Sequence, residues 1–156
     1  MSETPEARIR ALGLVLPEPA VPLANYLPTV RSGALLFVSG QLPLRAGTLM
    51  ATGKLGGSVD LATGKEAAAQ CLLNLLGQVR ASLGSLGAVR RVVRLGGFIA
   101  AVPSFTDLAL VMNGASDLAV AVFGEAGRHA RSTVGVPVLP ADAPVEVEGL
   151  FEVAAD

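Results

Sequence analysis

Residues 63–101, TGKEAAAQCLLNLLGQVRASLGSLGAVRRVVRLGGFIAA, change their hydrophobic period partway along, and that change decides the fold class. In the first half Ala68, Leu72, Leu75, Val79 and Leu83 recur at intervals of three and four, which places them on one face of a helix. Thr63 and Glu66 stand at capping-box spacing and predict the helix start, while Gly84 is a suitable residue just past its end. From Ala88 to Ala101 the chain is β-branched and roughly alternating, as a strand is. The Gly96–Gly97 pair inside that strand predicts a bulge or a close backbone approach.

Downstream, Ser104 with Asp107 offers a second capping signal. Leu108, Val111, Met112, Ala115, Leu118, Ala119, Val122 and Phe123 then make one apolar helix face that stops at Gly124. The β pattern returns over residues 131–138 and 145–153, joined by Pro140-Ala141-Asp142-Ala143-Pro144. Upstream, TPEARIRALGL (residues 4–14) reads as a short amphipathic helix, after which Pro17, Pro19 and Pro22 enforce an extended connector. Thr29–Val30 and Ala34–Ser39 read as paired strands across the Ser32-Gly33 turn, and residues 46–57 as a loop with a short strand near 49–52. The expectation is one domain over residues 1–156, with 1–25 as N-terminal helix and connector. Its class is α+β, with two helices packed on one sheet and no internal repeat.

The 156 residues are 51% hydrophobic and 16% charged, with mean hydropathy +0.56, enough apolar material for one buried core. So little charge beside so much Val, Leu and Ala predicts a homo-oligomer. Twelve basic against thirteen acidic residues, with an isoelectric point near 5.8, oppose a nucleic-acid partner. The single cysteine, Cys71, excludes an internal disulfide and a CxxC metal site; inside its helix it reads as an inert buried thiol. Gly53, Gly56 and Gly57 match neither GxGxxG nor a phosphate loop, so no nucleotide cofactor is expected. No apolar run approaches the roughly 18 uncharged residues of a membrane span. The first residues carry acids where a secretory signal needs bases, so the expected location is the cytoplasm, away from membranes.

Arg131 enters the 131–138 strand in the stretch AGRHARSTVGVP (residues 126–137). An arginine on a rigid strand presents a fixed fork to a carboxylate; the plainer reading is a surface or intersubunit ion pair. His129, the chain's one histidine, has no evident nucleophile partner, and no GxSxG elbow supports a Ser/His/Asp triad. In PVEVEGLFEV (residues 144–153) the period of two sends Val145, Val147, Gly149, Phe151 and Val153 to one face and Glu146, Glu148, Leu150 and Glu152 to the other. Glu148 and Glu152 read as a solvated face, as do Arg80, Arg90, Arg91 and Arg94. Glu146, nearest the 139–144 connection, is the carboxylate that could face Arg131, depending on a strand register the sequence leaves open.

YLPTVRSGALLFVSGQLP (26–43), KLGG (54–57), residues 67–100, and HARSTVGVPVLPADAPVEVEGLFEV (129–153), in this order and spacing, resemble the RidA/YjgF family of reactive-intermediate enamine/imine deaminases, whose members are also described as endoribonuclease L-PSP-like. The resemblance covers nearly the whole chain from Tyr26. It implies a chorismate-mutase-like fold of the bacillus type, assembled as a homotrimer with ligand clefts between subunits. It places Arg131 as the grip on the substrate carboxylate, Glu146 as the acid that positions or activates water, and Tyr26 as the tyrosine before the first strand. Ser39 and Gly40 match the cleft-lining Ser-Gly, and Thr133 follows the arginine at the substrate's nitrogen end. Where many relatives have Phe-Pro before Ala-Arg-Ser and a cysteine two residues after the arginine, this chain has Arg128-His129 and Thr133, a change at the pocket mouth.

The implied reaction is hydrolysis of reactive 2-imino (2-aminoacrylate-type) acids to 2-keto acids and ammonia, with no metal or organic cofactor. A non-catalytic protein that binds small carboxylates would share the arginine clamp. An endoribonuclease or translation inhibitor ranks third, against the acidic composition.

Overall fold

The computed structural model describes residues 3–19 and 24–155. In chain order it contains helix α1 (Pro5–Ala11), strands β1 (Thr29–Ser32), β2 (Leu35–Gln41), β3 (Leu44–Arg45) and β4 (Thr48–Leu49), and helix α2 (Leu61–Leu83). Strand β5 (Val89–Ala100), helix α3 (Leu108–Phe123) and strands β6 (Ala130–Val136) and β7 (Val145–Val153) follow. Five strands form one mixed sheet in the order β1-β2-β7-β5-β6, with β5 and β6 parallel and the other pairs antiparallel. The hairpin β3–β4 stands apart from it. The α+β class and the two long helices are as the periodicity predicts, with the short α1 as a third helix. Pro22, expected to stiffen the connector, lies outside the described residues.

The helix caps differ from the sequence reading. Helix α2 starts at Leu61, and the Asp60 carboxylate accepts from the Thr63 amide at 2.8 Å. Thr63 therefore donates to the cap instead of being it; an aspartate three residues upstream competes for the same first-turn amides and wins. That bond holds the Asp60 carboxyl below the usual carboxylate range. Ser104 caps nothing, and Asp107 at the start of α3 makes no side-chain capping bond. Gly84 ends α2 in the left-handed region at φ 83°, as expected.

Gly96 and Gly97 carry no bulge: the β5–β7 register is regular from Arg94 to Ile99, and its shifts lie at Val89/Arg91 and Val92/Arg94. The pair serves close approach instead. A Cβ on Gly97 would stand 2.6 Å from Met112 Sδ of α3, and one on Gly96 2.8 Å from Glu148 Oε1 on the other face. The core lies between the sheet and the two long helices, where Leu72, Leu75, Leu76 and Val79 meet Leu36, Leu95, Val147 and Phe151. Helices α2 and α3 cross with the Gly114 Cα against the Lys65 carbonyl, a spot that admits no side chain. Arg8 Nη1 donates to Val122 O at 3.0 Å and ties α1 to α3.

Residues 108–127 are long and apolar enough to cross a membrane by composition alone. Asp117 and Glu125 interrupt them, however, and Val111, Met112, Ala115, Leu118, Ala119, Val122 and Phe123 are buried in the fold, the pattern of a core helix. The sheet's other face is covered at one end, where Phe98, Ala100 and Val136 pack with Leu42, Leu49 and Leu139, and has no layer over the rest. Val30, Phe37 and Val134 are exposed there beside Glu146, Glu148 and Arg94. The alternation read from residues 145–153 is the one observed.

Candidate functional site

Arg131 sits at the start of β6, an edge strand whose only partner among the described residues is β5. It is aligned with Leu95, a core residue, so its side chain leaves the sheet on the helix side and reaches α3. Nη1 donates to Ser116 Oγ at 3.0 Å and Nη2 to the Ala109 carbonyl at 3.3 Å. His129 stands at the same hydroxyl, with Nε2 2.9 Å from Ser116 Oγ and Nδ1 2.6 Å from the Gly127 carbonyl. A carbonyl only accepts, so in the neutral ring Nδ1 carries the proton and the Nε2 lone pair faces Ser116. The hydroxyl thus accepts from the guanidinium and donates to the imidazole.

This local path follows from the glycines that end α3. The helix stops at Gly124, a 3-10 turn spans Gly124–Gly127, and the chain extends at Arg128, which returns His129 alongside α3. The Gly127 Cα lies against the Ala119 carbonyl, too close for any side chain. Asn113, Ser116, Asp117, Arg128, His129 and Arg131 line an open cleft of about 360 Å³. Sequence reasoning missed Ser116 as the partner of His129. A signal was present: Asn113, Ser116 and Asp117, at i, i+3 and i+4, put one polar stripe on an otherwise apolar helix. Thr133, two residues beyond Arg131 on the same face, buries its Oγ1 without a hydrogen-bond partner.

Tyr26, Ser39, Gly40 and Glu146 gather elsewhere, around β2 and β7. Ser39 Oγ donates to the Leu27 carbonyl at 2.8 Å and its amide to Pro28 O at 2.9 Å, which ties the segment after Tyr26 to β2. Tyr26 itself is 55% exposed. The Glu146 carboxylate lies over Gly40, where a Cβ would be 2.5 Å from Oε1, so a side chain there would displace the carboxylate. Glu146 is half-buried, and burial, followed by the charge of nearby Glu148, raises its pKa. Glu148 faces Arg94 at 3.8 Å.

Within one chain the two groups do not meet. Strand β5 separates β6 from β7, and Glu146 is aligned through Phe98 with Val134, three residues along from Arg131 and on the opposite face. Tyr26 precedes β1, at the far edge of the sheet, about four strand spacings or 19 Å from β6.

Cys71 is buried with Sγ 3.6 Å from the Val145 carbonyl; burial, and then the charge of Glu146, push its thiol well up, so it is not a nucleophile. A larger cavity, about 730 Å³, lies between residues 13–19, β3 and α2. Three of its polar side chains form a chain of bonds: Arg45 Nε donates to Gln70 Oε1, Gln70 Nε2 to Asn74 Oδ1, and Asn74 Nδ2 to the Leu42 and Leu44 carbonyls. These bonds fasten the β3–β4 hairpin to α2. Among the described residues no group of three His, Cys, Asp or Glu side chains is placed to hold a metal ion.

Comparison with known proteins matches residues 6–152 to the family described as "YjgF/chorismate mutase-like, putative endoribonuclease". Protein TCP17 of Trypanosoma cruzi is 48% identical over 147 residues, which cover 94% of this chain and 92% of that protein. Among solved structures, Atu1372 of Agrobacterium tumefaciens, a protein of unknown function, is 47% identical with TM-score 0.91, covering 96% of this chain and 92% of its own. A structure from Shewanella oneidensis titled "putative endoribonuclease" is 36% identical with TM-score 0.94, covering 97% of this chain and all of its own.

Proposed function

This chain belongs to the YjgF/chorismate-mutase-like family and has its fold, and from that premise we propose that it hydrolyses small 2-imino acids to 2-keto acids and ammonia, in the cytoplasm, in sites completed between copies of a homotrimer. The observation that carries the proposal is the fixed guanidinium of Arg131 at the rim of an open polar cleft. Of its five N–H donors two are used, on Ser116 and Ala109, and these hold the fork for a substrate carboxylate.

In this reading Arg131 clamps the carboxylate and the backbone near Thr133 holds the nitrogen end. A water adds to the protonated C=N carbon, loses a proton, and the C–N bond breaks to release ammonia. Glu146, with Ser39, Gly40 and Tyr26, comes from a neighbouring copy; Glu146 orients the water and Tyr26 closes the cleft. Such placement contributes about 10²- to 10⁴-fold in rate. Arg131 and Glu146 lie on opposite faces of the sheet with β5 between their strands, and Tyr26 precedes the far edge strand, which supports assembly from two copies. Exposed Val30, Phe37 and Val134 supply apolar surface for that contact. The raised Glu146 carboxyl suits a group that handles protons.

A ribonuclease reading has the family description and the name given to the Shewanella oneidensis relative behind it, and no feature of this site. The open sheet face carries Glu146, Glu148 and Glu152 beside Arg94, and a net charge of -1 supplies no basic footprint for a phosphate backbone. The test generates imines with an amino-acid oxidase and follows ammonia release, with pyruvate binding measured by calorimetry and RNA cleavage as a control. Faster release that requires Arg131 supports the deaminase. Pyruvate binding without faster release makes the protein a carboxylate binder, and cleavage of RNA makes it a nuclease.

A further inference from the structure

We infer that Ser116 and His129 form the proton relay of the Arg131 cleft, with Ser116 in contact with the attacking water and His129 acting through it. The inference rests on the imine-hydrolysis reading and adds the group, on Arg131's own chain, that carries the proton. Three observations combine. The Gly127 carbonyl accepts a hydrogen bond from Nδ1–H, which turns the basic nitrogen of His129 toward the serine. The guanidinium donates to the same oxygen, which favours a hydroxyl that gives its own proton to the imidazole. The pair faces an open cleft from the one polar stripe of an apolar helix.

A 2-imino acid carries its C=N carbon one bond from the carboxylate. A carboxylate seated on Arg131 therefore leaves the reacting carbon beside the hydroxyl that Arg131 touches. Water held by Glu146 of the neighbouring copy attacks that carbon. As the C–O bond forms, its proton passes to Ser116 Oγ while the serine's proton passes to His129 Nε2. The imidazolium returns a proton through the same hydroxyl to the amine nitrogen, and the C–N bond breaks. The second proton of the carbinol oxygen leaves with ammonia as ammonium, so the keto acid forms and both side chains end as they began. No oxidant or further reactant enters.

The charged groups around the ring are Asp117 of α3, Glu125 of the 3-10 turn, and Arg128 and Arg131 on its own segment. Because His129 is the chain's one histidine, its imidazole nitrogens give a single, assignable set of nitrogen NMR signals. The test combines that spectrum with pH profiles of imine hydrolysis and with pyruvate binding, on the full chain. Expected is the Nδ1–H tautomer, perturbed by Ser116→Ala. Ser116→Ala and His129→Gln each lower kcat at least about tenfold, and His129→Gln, which leaves Ser116 holding the Arg131 fork, keeps pyruvate affinity within about threefold of the parent. His129→Gln also removes the acid limb of the profile, and Ser116→Thr restores most of the rate. An Nε2–H tautomer overturns the relay, as does Arg131-dependent hydrolysis whose kcat and pH profile survive both variants; in that second case the deaminase reading stands. A wild-type protein that hydrolyses no imine overturns both.

Discussion

The cleft at Arg131 and the sheet face at Glu146 solve opposite electrostatic problems. In the first, a cation is pinned by two acceptors, and the neighbouring hydroxyl and imidazole are mutually satisfied. In the second, two carboxylates share a half-buried face, glycine makes room for one of them, and its negative form is disfavoured. One region is organised to receive negative charge, the other to hold a carboxyl whose proton is easily kept. Reactions at a C=N carbon need both. A chain that builds them two strand spacings, about 10 Å, apart and on opposite faces of the sheet leaves their meeting, in the proposed reading, to assembly.

The strongest way to break this contrast is to empty the first region. Arg131→Ala should weaken pyruvate binding and imine hydrolysis by at least about 10²-fold, because a bidentate charged pair is lost. Arg131→Lys keeps the charge without the fork and should fall between the two. Sedimentation should show the same oligomer for all three. Dissociation in Arg131→Ala would instead make the arginine an interface ion-pair partner.

Gly40→Ala acts on the second region alone. The new methyl occupies the place of Glu146 Oε1, so the carboxylate must swing away, and turnover should drop about tenfold with pyruvate binding kept. Glu146→Gln sharpens the same point through stability. A raised carboxyl means the folded chain holds more protons than the unfolded one between the ordinary and the raised pKa. Stability from this group therefore falls as pH rises through that window. The variant should lose activity yet melt about 1–3 °C higher at pH 7, with the difference vanishing in acid. A lower Tm at pH 7 would contradict the assigned strain.

Cys71→Ser should leave imine hydrolysis within about threefold, since the thiol is buried in the core on the helix side of β7, its hydrogen bond goes to the Val145 carbonyl, and it opens into neither region. A drop beyond tenfold in a folded variant would mean that the back of β7 controls Glu146 through its packing.

Much of the architecture is legible in local pattern. The three-and-four spacing from Ala68 to Leu83 and the alternation of residues 145–153 are realised as α2 and β7. The cap of α2 is not legible in that pattern, because Asp60, outside the periodic run, outcompetes Thr63 for the first-turn amides. Arg131 and Glu146 were identifiable as candidates, but not their separation. That depends on β5 inserting between β6 and β7, a pairing of segments distant in sequence. Ser116 escaped notice for a similar reason. Its link to His129 spans 13 residues and forms only because glycines at 124 and 127 fold the chain back on α3.

The central claim, that one site needs Arg131 of one copy and Glu146 of another, is tested most directly by mixing two defective chains. Arg131→Ala and Glu146→Gln are each assayed alone, then unfolded together in equal amounts, refolded and assayed for ammonia release. In a randomly mixed closed trimer each site has one chance in four of joining an intact Arg131 to an intact Glu146, so activity should recover to about a quarter of wild type. Recovery no greater than the average of the two variants would contradict a site shared between copies.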